Sequence, residues 1–187
     1  MSLAVFVEGP SDRNPIRTLL EKLGQVVRHV GVVRQGRMLN VDAMASQIEI
    51  VAHARRRLSR VLIFRDSEGI DPEETYQRSR GPERELNQLF TRFPINYIIV
   101  DHSIEGWLAW DVDAVRRVVG GGKYLSLIRN LEANPHPANL LGRVFRANGP
   151  DFDKSTHNQV LAELADIRLI ARNSPTFGRL VKILRGR

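Results

Sequence analysis

Cysteine is absent from the chain, which removes disulfides, thiolate metal ligands and cysteine nucleophiles from consideration. No apolar run approaches the roughly 20 residues a membrane-spanning helix needs. Met1-Ser2-Leu3 leads almost directly into an apolar strand, without the charged-then-apolar region of a secretory signal. A cytoplasmic location with no membrane partner is the expectation. No Gly-x-Ser-x-Gly elbow occurs, so a serine-hydrolase triad has no support. His29, His53, His102, His136 and His157 fall at no metal-ligand spacing, and of these only His102 lies close to the acids discussed below. Gly120-Gly121-Gly122-Lys123 lacks both the first glycine and the following Ser/Thr of a phosphate-cradling loop and follows no predicted strand, which excludes that type of nucleotide site. Internal repeats and low-complexity tracts are also missing.

What is present is a soluble, globular composition: 187 residues, 42% hydrophobic and 26% charged, enough for a real core. The net charge of +7 comes mainly from arginine. An excess of that sign favours a polyanionic partner, DNA or RNA, because basic side chains displace counterions from phosphates. Arg55, Arg56, Arg57 and Arg60 form the densest basic cluster and are the candidate nucleic-acid contacts. A solvated helix end is the competing explanation.

Three short apolar runs each end on an acid: Ala4-Val5-Phe6-Val7 on Glu8, Val61-Leu62-Ile63-Phe64-Arg65 on Asp66, and Ile95-Asn96-Tyr97-Ile98-Ile99-Val100 on Asp101. Such runs read as buried parallel strands, and ligands of open α/β sheets bind beyond the strands' C-terminal ends. Several carboxylates gathered on one edge repel one another, and a cation among them removes the penalty.

Along the chain, Ser11 is the expected N-cap of a helix built on Ile16, Leu19, Leu20 and Leu23 and stopped by Gly24. A second strand is expected over residues 26–33. A helix from about Val41, with Met44, Ile48, Val51 and Leu58 on one face, ends in the arginine cluster. The polar residues 67–82 read as a functional loop, and Leu86, Leu89 and Phe90 as a short helix before the fourth strand. Beyond Gly120 the character becomes helical, with a break at Asn134-Pro135-His136-Pro137. The last helix is capped by Ser174, starts with Pro175 and carries Phe177, Leu180, Val181 and Leu184 on one face. The predicted fold is therefore α/β: a mostly parallel sheet of about four strands flanked by helices, residues 1–120, with a helical C-terminal cap packed on it, residues 121–187.

Further acids surround the strand ends. Gly9 permits a sharp turn after Glu8 and brings Asp12 into the first helical turn; Glu68 follows Asp66; Ser103-Ile104-Glu105 follows the fourth strand. Oxygen ligands from several strand ends suit a hard cation, Mg2+ or Mn2+. Each acid also has an ordinary reading. Glu8 and Asp12 suit a helix N-terminus, Asp66 and Glu68 an exposed turn, Glu105 an ion pair with arginine, and Asp101 the orientation of a neighbour. Trp107 and Trp110 read as core.

Val7-Glu8-Gly9-Pro10-Ser11-Asp12, Asp66-x-Glu68 and Ser103-x-Glu105 resemble the TOPRIM domain, particularly that of OLD-family nucleases. Ile104-Glu105-Gly106-Trp107-Leu108, Asp153-Lys154 and Asn173-Ser174-Pro175-Thr176-Phe177 are similar to segments of a family of small stand-alone TOPRIM-like proteins. The resemblance spans nearly the whole chain. It implies a Rossmann-like TOPRIM fold and a metal-dependent nuclease, with an ATPase of the ABC or SMC type as partner in defence or repair. It implies metal binding by Glu8, Asp66 and Glu68, with Asp12 and Glu105 completing a second site. It also implies a general acid or base role for Glu8 and charge neutralisation by Lys154, which is otherwise an ordinary surface lysine. Glu68 departs from the Asp-x-Asp pattern by one methylene, and Arg65 offers a competing cation, so a non-catalytic nucleic-acid-binding or regulatory module is the alternative. A phospho-acceptor receiver domain fits poorly, because Asp101 and His102 stand where such domains place a lysine.

Overall fold

A computed structural model describes residues 2–34, 36–55, 57–128 and 136–186. Four parallel strands, β1 (Ser2–Val7), β2 (Val26–Val32), β3 (Arg60–Asp66) and β4 (Ile95–Val100), form one sheet in the order β2-β1-β3-β4. Because all four run the same way, every C-terminal end lies on one edge. The strands alternate cleanly. Leu3, Val5, Val7, Leu62, Phe64, Ile98 and Val100 face one core, and Ala4, Phe6, Val61, Ile63, Ile95 and Tyr97 face another. The sheet is thus covered on both sides, the expected state of an all-parallel sheet.

The second core is closed by α2 (Val41–Ala54) and α3 (Pro72–Leu89), through residues such as Met44, Ile48 and Leu86. The first is covered by α1 (Arg13–Lys22), α4 (Ile104–Ala109), α5 (Val112–Val119), α6 (Pro137–Asn148), α7 (Lys154–Leu164), α8 (Ile167–Asn173) and α9 (Pro175–Leu184). Trp107 is fully buried there, T-stacked on Phe64 and Phe177, as its core reading requires. The predicted break at residues 134–137 falls largely outside the described residues.

Two expectations fail locally. The expected loop over residues 67–82 is mostly α3, which starts at Pro72 and is capped by Asp71, whose carboxylate accepts from Glu73 N and Glu74 N. The helix looks polar because it buries little more than Thr75, Ser79 and Leu86, and Pro82 inside it mimics a helix end. The expected cap at Ser11 also shifts. A 3-10 turn over Pro10–Asp12 intervenes, and Asp12 precedes α1.

β4 is a sheet edge, and α3 covers its free backbone groups. Asn87 accepts from Ile95 N and donates to Ile95 O, and Glu83 accepts from Tyr97 N at 2.6 Å. Side chains thereby block the pairing that an open edge invites. At the far end of the first layer, Lys22 Nζ donates to Ala162 O, Glu163 O and Ala165 O at 3.1, 2.7 and 2.6 Å. It neutralises the carbonyl end of α7. Lys22→Met should lower stability by about 1 kcal/mol, read as a shift in urea midpoint; an unchanged midpoint would show the contact to be idle.

Candidate metal centre

The strand ends deliver the acids because each strand stops where its burial stops. Asp66 closes β3, Glu8 follows β1, and Glu105 lies in the first turn of α4, after β4. Asp66 is surrounded by protein on most sides, and desolvation, then Asp12, Glu8, Glu105 and Glu68, push its carboxyl well above the usual range. Glu8 is raised to about 7, first by burial and then by Glu68, with Arg65 and a hydrogen bond from the Asp66 backbone opposing. Asp12 is raised by burial and by Glu105. Five acids therefore share one electrostatic neighbourhood, with Asp66 feeling all the others.

Strand parity sorts them. The β1–β3 pairing matches Phe6 with Ile63, so continuing it sets Glu8 level with Arg65 on one face of the sheet. Asp66 points to the other, toward the side of α1, α4 and α7. Arg65 donates to Thr75 O and Ser79 Oγ at 3.4 and 3.3 Å, so its guanidinium is directed at α3. Glu68 is held in left-handed backbone, φ 50°, with its N–H donating to His102 O at 3.1 Å.

The chain bends at Glu8 and Gly9, but Gly9 has φ −116°, a backbone any residue adopts, so the bend itself does not require glycine. A side chain there would meet Asp12 Oδ2 at 2.8 Å, the same oxygen that accepts from Gly9 N at 3.1 Å. The absence of Cβ lets Asp12 fold back against the backbone, with Ser11 Oγ donating to its other oxygen at 3.2 Å. Gly106 is needed for a similar reason: a Cβ would stand 2.3 Å from Asp101 O, where α4 leaves β4.

Glu105 behaves differently from the rest. Only 1% exposed, it would be pushed up by burial, yet hydrogen bonds from Ser103 and Asn158 and the charge of Lys154 hold its carboxyl below the usual value. Asn158 Nδ2 donates to Oε1 at 2.9 Å and Lys154 Nζ lies 3.3 Å from the same oxygen, while Ser103 Oγ donates to Oε2 at 2.5 Å. Lys154, with 53% of its side chain exposed, thus joins Glu105, so the ion pair in the ordinary reading of this acid forms with a lysine and not an arginine. Asn158 was not anticipated from the sequence. Its i, i+4 spacing from Lys154 on α7 was the available signal. Asn158 Oδ1 is buried with no hydrogen-bond partner among the described residues.

Asp101 stands apart from the acid group. Its Oδ2 accepts from Ser174 Oγ at 2.5 Å, and Ser174 Oγ accepts from Phe177 N, so Asp101 anchors the start of α9. The arginine cluster is not brought to the acids. Arg55 and Arg57 are exposed between α2 and β3, Arg56 lies outside the described residues, and Arg60 is half-buried with its guanidinium on Ile183 O at 2.6 Å. Arg55, Arg57 and Arg60 lie toward the strand-start edge, and Arg60 is roughly 20 Å of strand from Asp66. Lys22, Arg168, Arg172 and Arg185 line a groove on that same edge.

Among the described residues, no three acidic or histidine side chains form a ready-made metal cage. The donor set nevertheless suits a hard divalent ion. It consists of carboxylates of which three, Glu8, Asp12 and Asp66, are pushed up by burial and neighbouring acids. Asn158, which donates to Glu105, carries a buried amide oxygen with no hydrogen-bond partner among the described residues.

The sequence matches the family described as "Domain of unknown function (DUF4276)" over residues 7–185. The chain belongs to this family. No curated protein matches this DUF4276 member by sequence. Among solved structures it is similar to the C-terminal region of the Burkholderia pseudomallei OLD protein, at 15% identity and a TM-score of 0.45, over 98% of this chain and 97% of that one.

Proposed function

We propose that this DUF4276 protein is a divalent-metal-dependent nuclease hydrolysing nucleic-acid phosphodiester bonds. The observation that carries the reading is the gathering of Glu8, Asp12 and Asp66 at the strand C-terminal edge, where burial first and neighbouring acids second, Glu68 and Glu105 among them, push all three carboxyls up. A fold that gathers this much uncompensated negative charge in partly buried positions gains most when Mg2+ or Mn2+ joins it.

Asp66 would be the shared ligand, with Asp12 and Glu105 on one side and Glu8 and Glu68 on the other. The bound ion would supply a water of lowered pKa and neutralise charge on the phosphoryl oxygens. The chain's own residues do the rest. Glu8, beyond the end of β1, accepts or returns a proton at its carboxylate. Lys154, exposed and tethered to Glu105, meets the non-bridging phosphate oxygens as a point cation. Ser103 and Asn158 fix Glu105, so its orientation survives the arrival of a phosphate.

The test is incubation of supercoiled and single-stranded DNA, and RNA, with Mn2+ and with chelator. Cleavage that requires the ion and is lost in Glu8→Ala and Asp66→Ala supports the reading; cleavage absent, or equal in all three proteins, ends it. A second reading, a binding module that does not turn over, draws on one observation: Glu105 is already compensated by Lys154, Ser103 and Asn158. Salt-dependent DNA binding, without cleavage and unchanged by chelator, would favour it.

Within the nuclease reading, Lys154→Ala should lower kcat roughly tenfold with little change in KM, as expected for a charge used mainly in the transition state. A change in KM alone would place Lys154 in ground-state binding.

A further inference from the structure

Beside the acids lies a cavity of about 330 Å3, between the loop of residues 69–72, the start of the β4–α4 connection and the first residue of α9. Its walls include the apolar faces of Ile70, Trp110 and Pro175 and the polar side chains of Asp71, Asp101 and His102. The volume is at the small end of ligand pockets, which suits one ring system and not a folded chain.

The pocket is joined to the candidate metal centre through its backbone. Glu68 N donates to His102 O, and His102 N donates to Ser67 Oγ at 2.8 Å, so one wall is hydrogen-bonded to the acid-bearing turn. His102 is held at φ 55°, an uncommon conformation for a residue with a side chain, stabilised by these two bonds. His102 Nδ1 is buried and has no hydrogen-bond partner among the described residues, a polar atom whose desolvation is uncompensated until something meets it.

The lining also says what it would refuse. Asp71 and Asp101 line the cavity, and their carboxylates, which already accept from Glu73 N, Glu74 N and Ser174 Oγ, would repel a phosphate. The flat apolar walls and acceptor oxygens suit a planar ring bearing N–H donors. We infer that this cavity receives a single unstacked nucleobase carrying an amino group, stacked on Trp110, while the adjoining phosphate lies at the acids. The inference rests on the nuclease reading for its class of ligand, and it restricts the substrate to single-stranded or locally opened nucleic acid. Extruding one base is how enzymes reach groups that a duplex hides.

The direct test is titration with 2-aminopurine deoxyriboside, a fluorescent nucleoside that has no phosphate. Wild-type protein should quench it saturably. Ile70→Trp, which fills the cavity from a loop position, should weaken binding at least about tenfold, as should Trp110→Ala, since stacking on one aromatic ring contributes on that scale. Thermal melts identify folded variants; Ile70→Trp keeps the test valid should Trp110→Ala unfold. Deoxyguanosine should compete and ribose 5-phosphate should not. No saturable quenching, equal quenching by folded Ile70→Trp, or equal competition by ribose 5-phosphate would overturn the inference. Nucleoside binding without any cleavage would defeat the nuclease reading and leave the pocket standing. Metal-dependent cleavage without nucleoside binding would do the reverse.

Discussion

Glu8→Ala and Asp66→Ala should each reduce Mn2+-dependent cleavage by at least about 100-fold. Metal assistance to phosphodiester hydrolysis amounts to several kcal/mol of transition-state stabilisation, and every 1.36 kcal/mol lost is about a factor of ten in rate. Asp66 is the acid that senses all four others, so its loss should be the harder to rescue with excess metal. Glu73, exposed on α3 and outside the group, is the control: Glu73→Ala should cleave as wild type does. Glu68→Asp should retain or increase activity. The shorter acid keeps the carboxylate, and aspartate tolerates the left-handed backbone found there more readily than glutamate. Equal rates for wild type, Glu8→Ala and Asp66→Ala, all folded, would remove the acids from the chemistry.

Without metal, the same residues should make the protein less stable as pH rises. Glu8, Asp12 and Asp66 all have folded pKa values above their ordinary ones, Glu8 at about 7. Between their ordinary values near 4 and the raised folded values, the folded state holds more protons than the unfolded one. Stability therefore declines with rising pH across that window and reaches its low plateau above pH 7. After solvent screening of these partly exposed groups, about 2 kcal/mol is involved, or a Tm lower by roughly 5 °C at pH 8 than at pH 5. His29, whose pKa is lowered by burial and by Arg55, Arg13 and Arg17, acts in the opposite sense, so the comparison must be with a variant. Asp66→Asn, of the same shape and without the charge, should raise Tm at pH 8 in chelator by about 3 °C or more and flatten the pH profile. Millimolar Mn2+ should raise the wild-type Tm and have little effect on Asp66→Asn, because a ligand that binds only the folded state stabilises it. A variant less stable than wild type in chelator would mean that Asp66 is compensated by a partner, and the repulsion argument would fail.

How far the sequence disclosed this arrangement depended on burial. β1, β3 and β4 were legible because unbroken apolar runs have few alternatives in an α/β fold, and the acids closing them were visible as the points where apolarity stops. Ser174 with Pro175 marked α9 because its cap chemistry is local. α3 was not legible. A helix that buries only Thr75, Ser79 and Leu86 and covers the β4 edge through the polar Glu83 and Asn87 carries little periodic hydrophobicity, and Gly81-Pro82 read as a break. Asp71-Pro72-Glu73-Glu74 held the cap signature that should have outweighed it. The environment of Glu105 was out of reach, because Lys154 and Asn158 lie about fifty residues away and meet it only through the packing of α7 on α4. The arginine cluster was visible as charge, but only the sheet direction shows that it occupies the edge opposite the acids.

The most direct test is a crystal grown or soaked with millimolar Mn2+ and measured for anomalous scattering. The account predicts a peak at the C-terminal edge of the sheet, bound by an oxygen of Asp66 together with at least two of Glu8, Asp12, Glu68 and Glu105, at about 2.0–2.3 Å. A peak elsewhere, or none at that edge, would contradict it.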